Sequence, residues 1–452
     1  MKDLEAPRIV VSPPGPRSKE IVERDKNLIT PAQYCYTTIA LSEAKGNTVK
    51  DVDGNVYIDF AAGIATMNVG HCNPRVVEAL MHQVAKLLHI SRHVAYYELY
   101  VKLGERITEV APGDLKKGKI LFVNSGTEAI EAALKLARYY SKKLIVVGFM
   151  PSFHGRAMGA LAATASKSTH RRHLTPLLVG TIHAPYAYCY RCAFEKQYPD
   201  CDLLCLRYLE KLIRVTAPAE DTAAVLVEPI AGEAGYIVPP DRFLPQLKKL
   251  CEENDILFIA DEVQTGFGRT GKMFAVENWE ITPDIIVMAK AIASGLPLGA
   301  IIARKELMET WKSGAHGTTF GGNPLSCAAG LSSLDFLRRN KLAENAAKIG
   351  KYILNRLKDM MEEHELIGDV RGRGLMIGAE LVKDRKTKEP AADEMKQLIA
   401  ESLKRGLLVI SCGESTIRIA PPLTMSKELA DKGLDILDDA LRAVGRSPRV
   451  RI

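Results

Sequence analysis

The sequence predicts an α/β protein: a large domain with a mostly parallel sheet flanked by helices, plus a smaller C-terminal α+β domain. Three observations predict this. Short apolar runs recur through the middle of the chain: "ILFV" (120–123), "LIVVGF" (144–149), "AAVLVEP" (223–229), "ILFIADE" (256–262), "DIIVMAK" (284–290) and "LGAIIA" (298–303). Each has the length and composition of a strand buried on both faces. Most are separated by segments with apolar residues at helical spacing, such as "TEAIEAALKLARYYS" (127–141) and "RFLPQLKKLCEEN" (242–254), as crossover connections between parallel strands require. A chain of 452 residues also exceeds what one core usually organises, so two or three domains are expected.

In chain order, "APRIVVSPPGPRS" is proline-rich and reads as an extended arm, with a short helix after it near Lys19–Leu28. "DVDGNVYIDF" (51–60) alternates apolar and polar residues around Asp53-Gly54, a hairpin signal. Its Asp51-x-Asp53 start lacks the glycine position and closing glutamate of a calcium loop. "PRVVEALMHQVAKLLH", opened by Pro74, is an amphipathic helix. After the apolar runs, two long polar-faced helices are expected from about residue 330. "GDVRGRGLMIGAEL", a helix around 393–405, "LLVISCG", "STIRIAPPL" and a last helix then make the compact C-terminal unit. The expected division is 1–72 (arm and hairpin), 73–330 (large domain) and 331–452 (small domain).

Composition narrows the function classes. The net charge of +7 comes from 61 basic and 54 acidic residues interspersed along the chain. With no basic block, no nucleic-acid partner is expected. No apolar run reaches the roughly 18 residues of a membrane span, and no apolar leader follows the first residues, so a cytoplasmic protein away from membranes is expected. Nine cysteines do not make an even secreted framework.

The chemistry should sit beyond the carboxyl ends of the strands. After "ILFVN" comes "SGTEA" (125–129), a small-residue turn and helix start whose free N–H groups suit a phosphate as well as an ordinary cap. After "ILFIA" comes Asp261, an acid at the end of an apolar strand. The glycines Gly266-x-Gly268-x-x-Gly271 fit a dinucleotide fingerprint, but five residues separate them from the strand, where the fingerprint needs the turn at once. After "DIIVMA" comes Lys290. A strand-end lysine is either a snorkelling cation or a partly desolvated nucleophile. A phosphate anchor, a carboxylate for a pyridinium nitrogen and an amine for a Schiff base together are the needs of pyridoxal phosphate.

At this point the chain resembles the class III (ω-amino-acid) aminotransferases, fold type I pyridoxal-phosphate enzymes. The motifs, in family order, are "DFAAGIATMNVGHCNP", "NSGTEAIEAALKLAR", "FHGR", "VEPIAGEAG", "ADEVQTGFGRTG", "DIIVMAKAIASGLPLGA", "HGTTFGGNP", "GDVRGRGL" and "IRIAPPL". The resemblance implies a Schiff base and proton shuttle at Lys290, and Asp261 on the pyridinium nitrogen. It implies Gly126 and Thr127 on the phosphate, Phe153 and Val263 on the two ring faces, and Gln264 at the ring hydroxyl. Thr319 is implied to reach across to a neighbour's phosphate, hence a homodimer or a larger assembly built from it. Arg418 is implied to bind the substrate α-carboxylate, Glu233 to pair with it when none is there, and Arg156 to take the distal carboxylate.

Ile64 stands where the family faces substrate. An aliphatic residue there is similar to the 4-aminobutyrate enzymes, whereas eukaryotic-type ornithine aminotransferases carry a tyrosine. The resemblance thus implies an amino donor like 4-aminobutyrate and 2-oxoglutarate as acceptor, with amino-acid racemase or ornithine aminotransferase as alternatives. No metal ligand is assigned to this centre. Outside the motifs, after an expected strand "LLVGTIH" (177–183), Cys189-x2-Cys192-x8-Cys201-x3-Cys205 is open to three readings: a zinc knuckle, one or two disulfides, or free thiols. His170 and His173, at i and i+3, read as surface residues.

Overall fold

The computed structural model of the protein describes residues 3–445. The chain forms two compact units, one of residues 75–343 and the other of residues from 1–74 together with 344–452.

The unit of residues 75–343 is built on a seven-stranded sheet. Its order is Lys119–Val123, Gly299–Ala303, Ile285–Met288, Leu257–Asp261, Thr222–Val227, Ile145–Met150 and Thr181–Pro185. From Ile285–Met288 to Thr181–Pro185 every pairing is parallel. Gly299–Ala303 runs antiparallel to both its neighbours. Thr222–Val227 and Leu257–Asp261 are buried at every residue, which is why they read as unbroken apolar runs rather than as alternation. Helix Gly126–Ser141 buries Ala129, Ile130, Ala132, Ala133, Leu134, Leu136 and Ala137 in a core shared with Val146, Leu226, Ile259, Val287 and Ile301. Its alanines let the helix axis approach the sheet closely, so the helix start stands directly at the strand ends.

Two expectations change. The strand expected over 177–183 is Thr181–Pro185, with Leu178–Gly180 in bends and turns before it. The first of the two helices expected after 330 runs Pro324–Arg339 and is not polar-faced: it buries nine residues, from Pro324 to Leu337. Serines and glycine on its inner face (Ser326, Gly330, Ser333) mask the apolar stripe in the sequence. The second helix is Leu342–Glu363.

In the other unit, Thr48–Asp51 and Val56–Asp59 form the expected hairpin, with Lys50 opposite Val56. Asp51 Oδ1 accepts the N–H groups of Asp53 and Asn55, a local turn and not a cation loop. Asp53 accepts the N–H groups of Arg17 and Ser18 and so caps helix Pro16–Leu28, whose own leading residue, Gly15, has no side chain to do so. Leu407–Leu408 joins the hairpin in parallel to Ile58–Asp59. A second, antiparallel sheet is ordered Ile367–Arg373, Met376–Leu381, Thr416–Ile419 and Ile410–Cys412. Among the described residues no helix is long and apolar enough to cross a membrane.

Candidate active site

The strand ends of the seven-stranded sheet bring Asp261, Val263, Lys290 and the start of helix Gly126–Ser141 together. Asp261 closes its strand and is 4% exposed. Its Oδ1 accepts the N–H of Val263 at 3.0 Å and its Oδ2 faces His154 Nδ1 at 2.7 Å. A carboxylate only accepts, so the proton lies on Nδ1 of the histidine. His154 is buried as well, and its Nε2 has no hydrogen-bond partner.

Glu228, at the end of the neighbouring strand, is a second buried carboxyl. It accepts the N–H of Phe153 at 2.8 Å and that of Gly232 at 2.7 Å. Burial pushes its pKa up and the Asp261 charge adds to this, while His154 and the two N–H donors pull the other way. The carboxyl thereby ties the Phe153–Arg156 turn to the 228–232 segment. Thr164 fixes the other side of that turn, its Oγ1 accepting the His154 N–H at 2.9 Å and donating to the Gly155 carbonyl at 3.0 Å.

At the helix start, Ser125 Oγ accepts the N–H of Glu128 and the Ser125 carbonyl accepts that of Ala129. The amides of Gly126 and Thr127 in the first turn have no carbonyl behind them. A Cβ on Gly126 would stand 3.0 Å from Val263 Cγ1 and 3.6 Å from Ala289 Cβ, so glycine permits the helix start to meet both neighbouring strand ends. Gly155, at φ +133°, leaves room for Thr127: a Cβ there would fall 2.4 Å from Thr127 Oγ1. That hydroxyl accepts the N–H of Ala157 at 3.1 Å.

Lys290 follows its strand by two residues, opens a 3₁₀ turn and holds a left-handed backbone (φ +49°). It is half-buried. For a residue with a Cβ this conformation costs on the order of 1 kcal/mol, and it turns the side chain out of the strand direction. Gln264 is buried, and its Oε1 accepts the Tyr236 hydroxyl at 2.8 Å.

These groups fit pyridoxal phosphate. Two unpaired amides at a helix start would hold the phosphate, a buried carboxylate would hold a protonated ring nitrogen, and the lysine amine would meet the aldehyde. Phe153 and Val263 would flank the ring. The dinucleotide reading has no such support, because Gly266, Gly268 and Gly271 lie in turns and no helix begins at them.

Around Phe153 stands a group that sequence reasoning missed. The His170 ring lies edge-on to Phe153 at 5.5 Å, and its Nε2 is 3.5 Å from Arg156 Nη2. Burial, then the Arg156 charge, pulls the His170 pKa below its ordinary value. Lys167 pairs with Glu233 at 2.8 Å. His170 is therefore half-buried and not a bland surface residue, while His173, beyond the end of helix Ser168–Arg171, is exposed as expected. Arg156 is exposed, as is Thr319, while the adjacent Thr318 accepts from Asn124 Nδ2 at 2.9 Å.

In the other unit, Arg418 is 1% exposed. It donates from Nη2 to the Tyr36 hydroxyl at 2.8 Å and from Nε to the Ser411 carbonyl at 2.9 Å. Ile64 is 41% exposed and lies in a run of four left-handed residues, Ala62 to Ala65.

The class-III aminotransferase family model matches residues 29–441. A leucine/methionine racemase of Thermococcus litoralis is 39% identical over 429 residues, covering 95% of this chain and 96% of the relative. A 4-aminobutyrate aminotransferase of Mycobacterium leprae is 39% identical over 437 residues, covering 96% and 98%. The crystal structure of an (S)-enantioselective omega-transaminase from Thermomicrobium roseum superposes with a TM-score of 0.88 at 33% identity, covering 94% of this chain and 98% of that one. With this match along the chain and the fit of the strand-end residues, the protein belongs to the class-III aminotransferases, enzymes dependent on pyridoxal phosphate.

Proposed function

We propose that the protein transfers the amino group of an ω-amino acid, 4-aminobutyrate or a close analogue, to 2-oxoglutarate. The products would be the corresponding semialdehyde and glutamate. When bound, pyridoxal phosphate supplies an aldehyde that condenses with amines and a pyridinium that draws electrons from the carbon bearing the amine.

The chain's own residues would act around it as follows. Asp261, oriented by His154, keeps the ring nitrogen protonated. Gly126 and Thr127 would hold the phosphate, Phe153 and Val263 would confine the ring, and Gln264, held by the Tyr236 hydroxyl, would reach the ring hydroxyl. Lys290 would take the proton from the carbon bearing the amine and return one to the cofactor's reacting carbon. Thr319, on an exposed segment, serves the phosphate of a second copy in a homodimer.

The observation that carries the substrate reading is the Lys167–Glu233 pair at 2.8 Å. A site that takes both an ω-amine donor and 2-oxoglutarate needs a carboxylate that changes partner as substrates exchange. Glu233 has a cation beside it to accept that change. Arg418, whose fork suits a bidentate carboxylate, would bind the acid group on the reacting carbon of glutamate. Arg156 would take the distal acid, and Ile64 would leave no polar group for a second amine. The test is glutamate production from 4-aminobutyrate and 2-oxoglutarate by the holoenzyme.

A second reading is amino-acid racemisation, favoured by the 39% identity to the leucine/methionine racemase of Thermococcus litoralis. The cofactor residues would serve both reactions. A racemase reprotonates the same carbon from either face and consumes no oxo acid.

A further inference from the structure

Cys189, Cys192, Cys201 and Cys205 take no part in the chemistry above, yet all four line one small cavity of about 20 Å³. The connection folds to make this happen. Cys189 opens a 3₁₀ turn that ends at Arg191, and Cys192 follows it. The Cys192 carbonyl accepts the N–H of Glu195, which has a left-handed backbone (φ +54°). The chain then returns through Cys201, and left-handed residues at Asp202 and Leu203 turn it into helix Leu204–Val215. Cys205 lies in the first turn of that helix. Arg207 Nη2 braces the return by donating to the Cys201 carbonyl at 3.2 Å.

No three of the four sulfurs lie within 4.8 Å of one another; among the described residues that spacing occurs only at Glu363, His364 and Asp438. The latter group already has its cation, since Arg442 pairs with Glu363 and Asp438 at 2.8 and 3.0 Å.

We propose that the four cysteines form a structural zinc site that pins the 189–205 connection. Their spacing, two pairs separated by eight residues, is that of a tetrathiolate knuckle. The cavity is small: about 20 Å³ admits one water-sized body, and a single ion fits it. Zinc is the ion that four thiolates in tetrahedral array select at that size. Closing to Zn–S distances of about 2.3 Å requires the thiols to rotate inward about their single side-chain rotors. Four thiols release four protons to solvent, and the ion with four thiolates carries a net charge of minus two. Lys196, on the cavity wall, and the neighbouring Arg191 and Arg207 offset it.

The test is metal analysis of the full-length holoenzyme purified under reducing conditions without added metal. About one zinc per chain is expected. It should persist in Cys35→Ser/Cys72→Ser, whose cysteines are exposed and remote in sequence, and be lost from Cys192→Ser/Cys201→Ser. Should the second variant fail to fold, the unmutated chain reconstituted with Co2+ gives the answer by itself. Visible absorption of tetrahedral thiolate-bound cobalt is expected. No zinc and no such absorption, or intact-mass evidence of disulfides among these four residues in the native protein, would overturn the proposal.

Discussion

The buried His154 ring and the buried Asp261 carboxylate meet at 2.7 Å, with the Nδ1 proton between them. The strand places the acid, and the histidine at Oδ2 with the Val263 N–H at Oδ1 fixes the orientation of the carboxylate. Removing the ring leaves a buried carboxylate short of a donor. His154→Leu is expected to cost about 1.5–3 kcal/mol in stability and to lower turnover by roughly 10²-fold. Thermal melts and steady-state turnover of the variant at one pH measure the two effects.

Gly299 passes so close to the helix start that a Cβ would stand 2.4 Å from the Ser125 carbonyl oxygen. That contact is backbone, so it can be relieved only by moving the turn that carries Gly126 and Thr127. Gly299→Ala is expected to weaken cofactor binding by at least about tenfold, roughly 1.4 kcal/mol. Titration of the apoenzyme with pyridoxal phosphate measures it. Gly445→Ala, with nothing within 4 Å of the added carbon, should leave the affinity unchanged.

Glu262 is fully buried and accepts the Thr265 hydroxyl and, at 2.9 Å, the Val276 N–H. Burial pushes its carboxyl from the ordinary 4.5 up to about 7, against the pull of those donors. Between these pH values the folded chain keeps a proton that the unfolded chain has released. Its contribution to stability is present at low pH and is lost as pH rises toward 7. Glu262→Gln keeps the Val276 bond on its oxygen and reverses the Thr265 bond, its Nε2 donating to the hydroxyl, without the charge. Its melting temperature relative to the unmutated protein should be higher at pH 8 than at pH 5.

Lys167 and Glu233 form a partly exposed pair, the lysine side chain being 33% exposed, so its worth is about 1 kcal/mol or less. Without the lysine, Glu233 meets incoming dicarboxylates with one cation fewer beside it. Lys167→Ala is expected to raise KM for 2-oxoglutarate up to about fivefold. KM for 4-aminobutyrate should change less. Glu233→Gln in the same background should reverse the effect on 2-oxoglutarate.

Much of this could be read from residue order, for identifiable reasons. Strands buried on both faces, such as Leu257–Asp261, announce themselves as apolar runs, and the residues that end them fall at the site by topology. Partners set by tertiary contact carry no such signal. His154 and Asp261 are 107 positions apart, and nothing local marks that histidine as buried. His170 reads as a surface residue because nothing in its own stretch of sequence records the Phe153 ring it packs against. The parallel pairing of Leu407 with Ile58 joins distant segments whose short strands match no unique partner by pattern.

The left-handed run Ala62 to Ala65 was equally hidden, since only Gly63 in it favours that backbone. Ile64 owes its exposed position to this turn. Sequence could name the residue, but not the backbone conformation that presents it.

Transfer of an amino group from 4-aminobutyrate to 2-oxoglutarate is the central claim, and glutamate is its most direct reporter. Purified holoenzyme should form glutamate only when both substrates are present, and Lys290→Ala should form none. No glutamate from that pair, together with inversion of a single amino acid in the absence of any oxo acid, would contradict the account and establish racemisation instead.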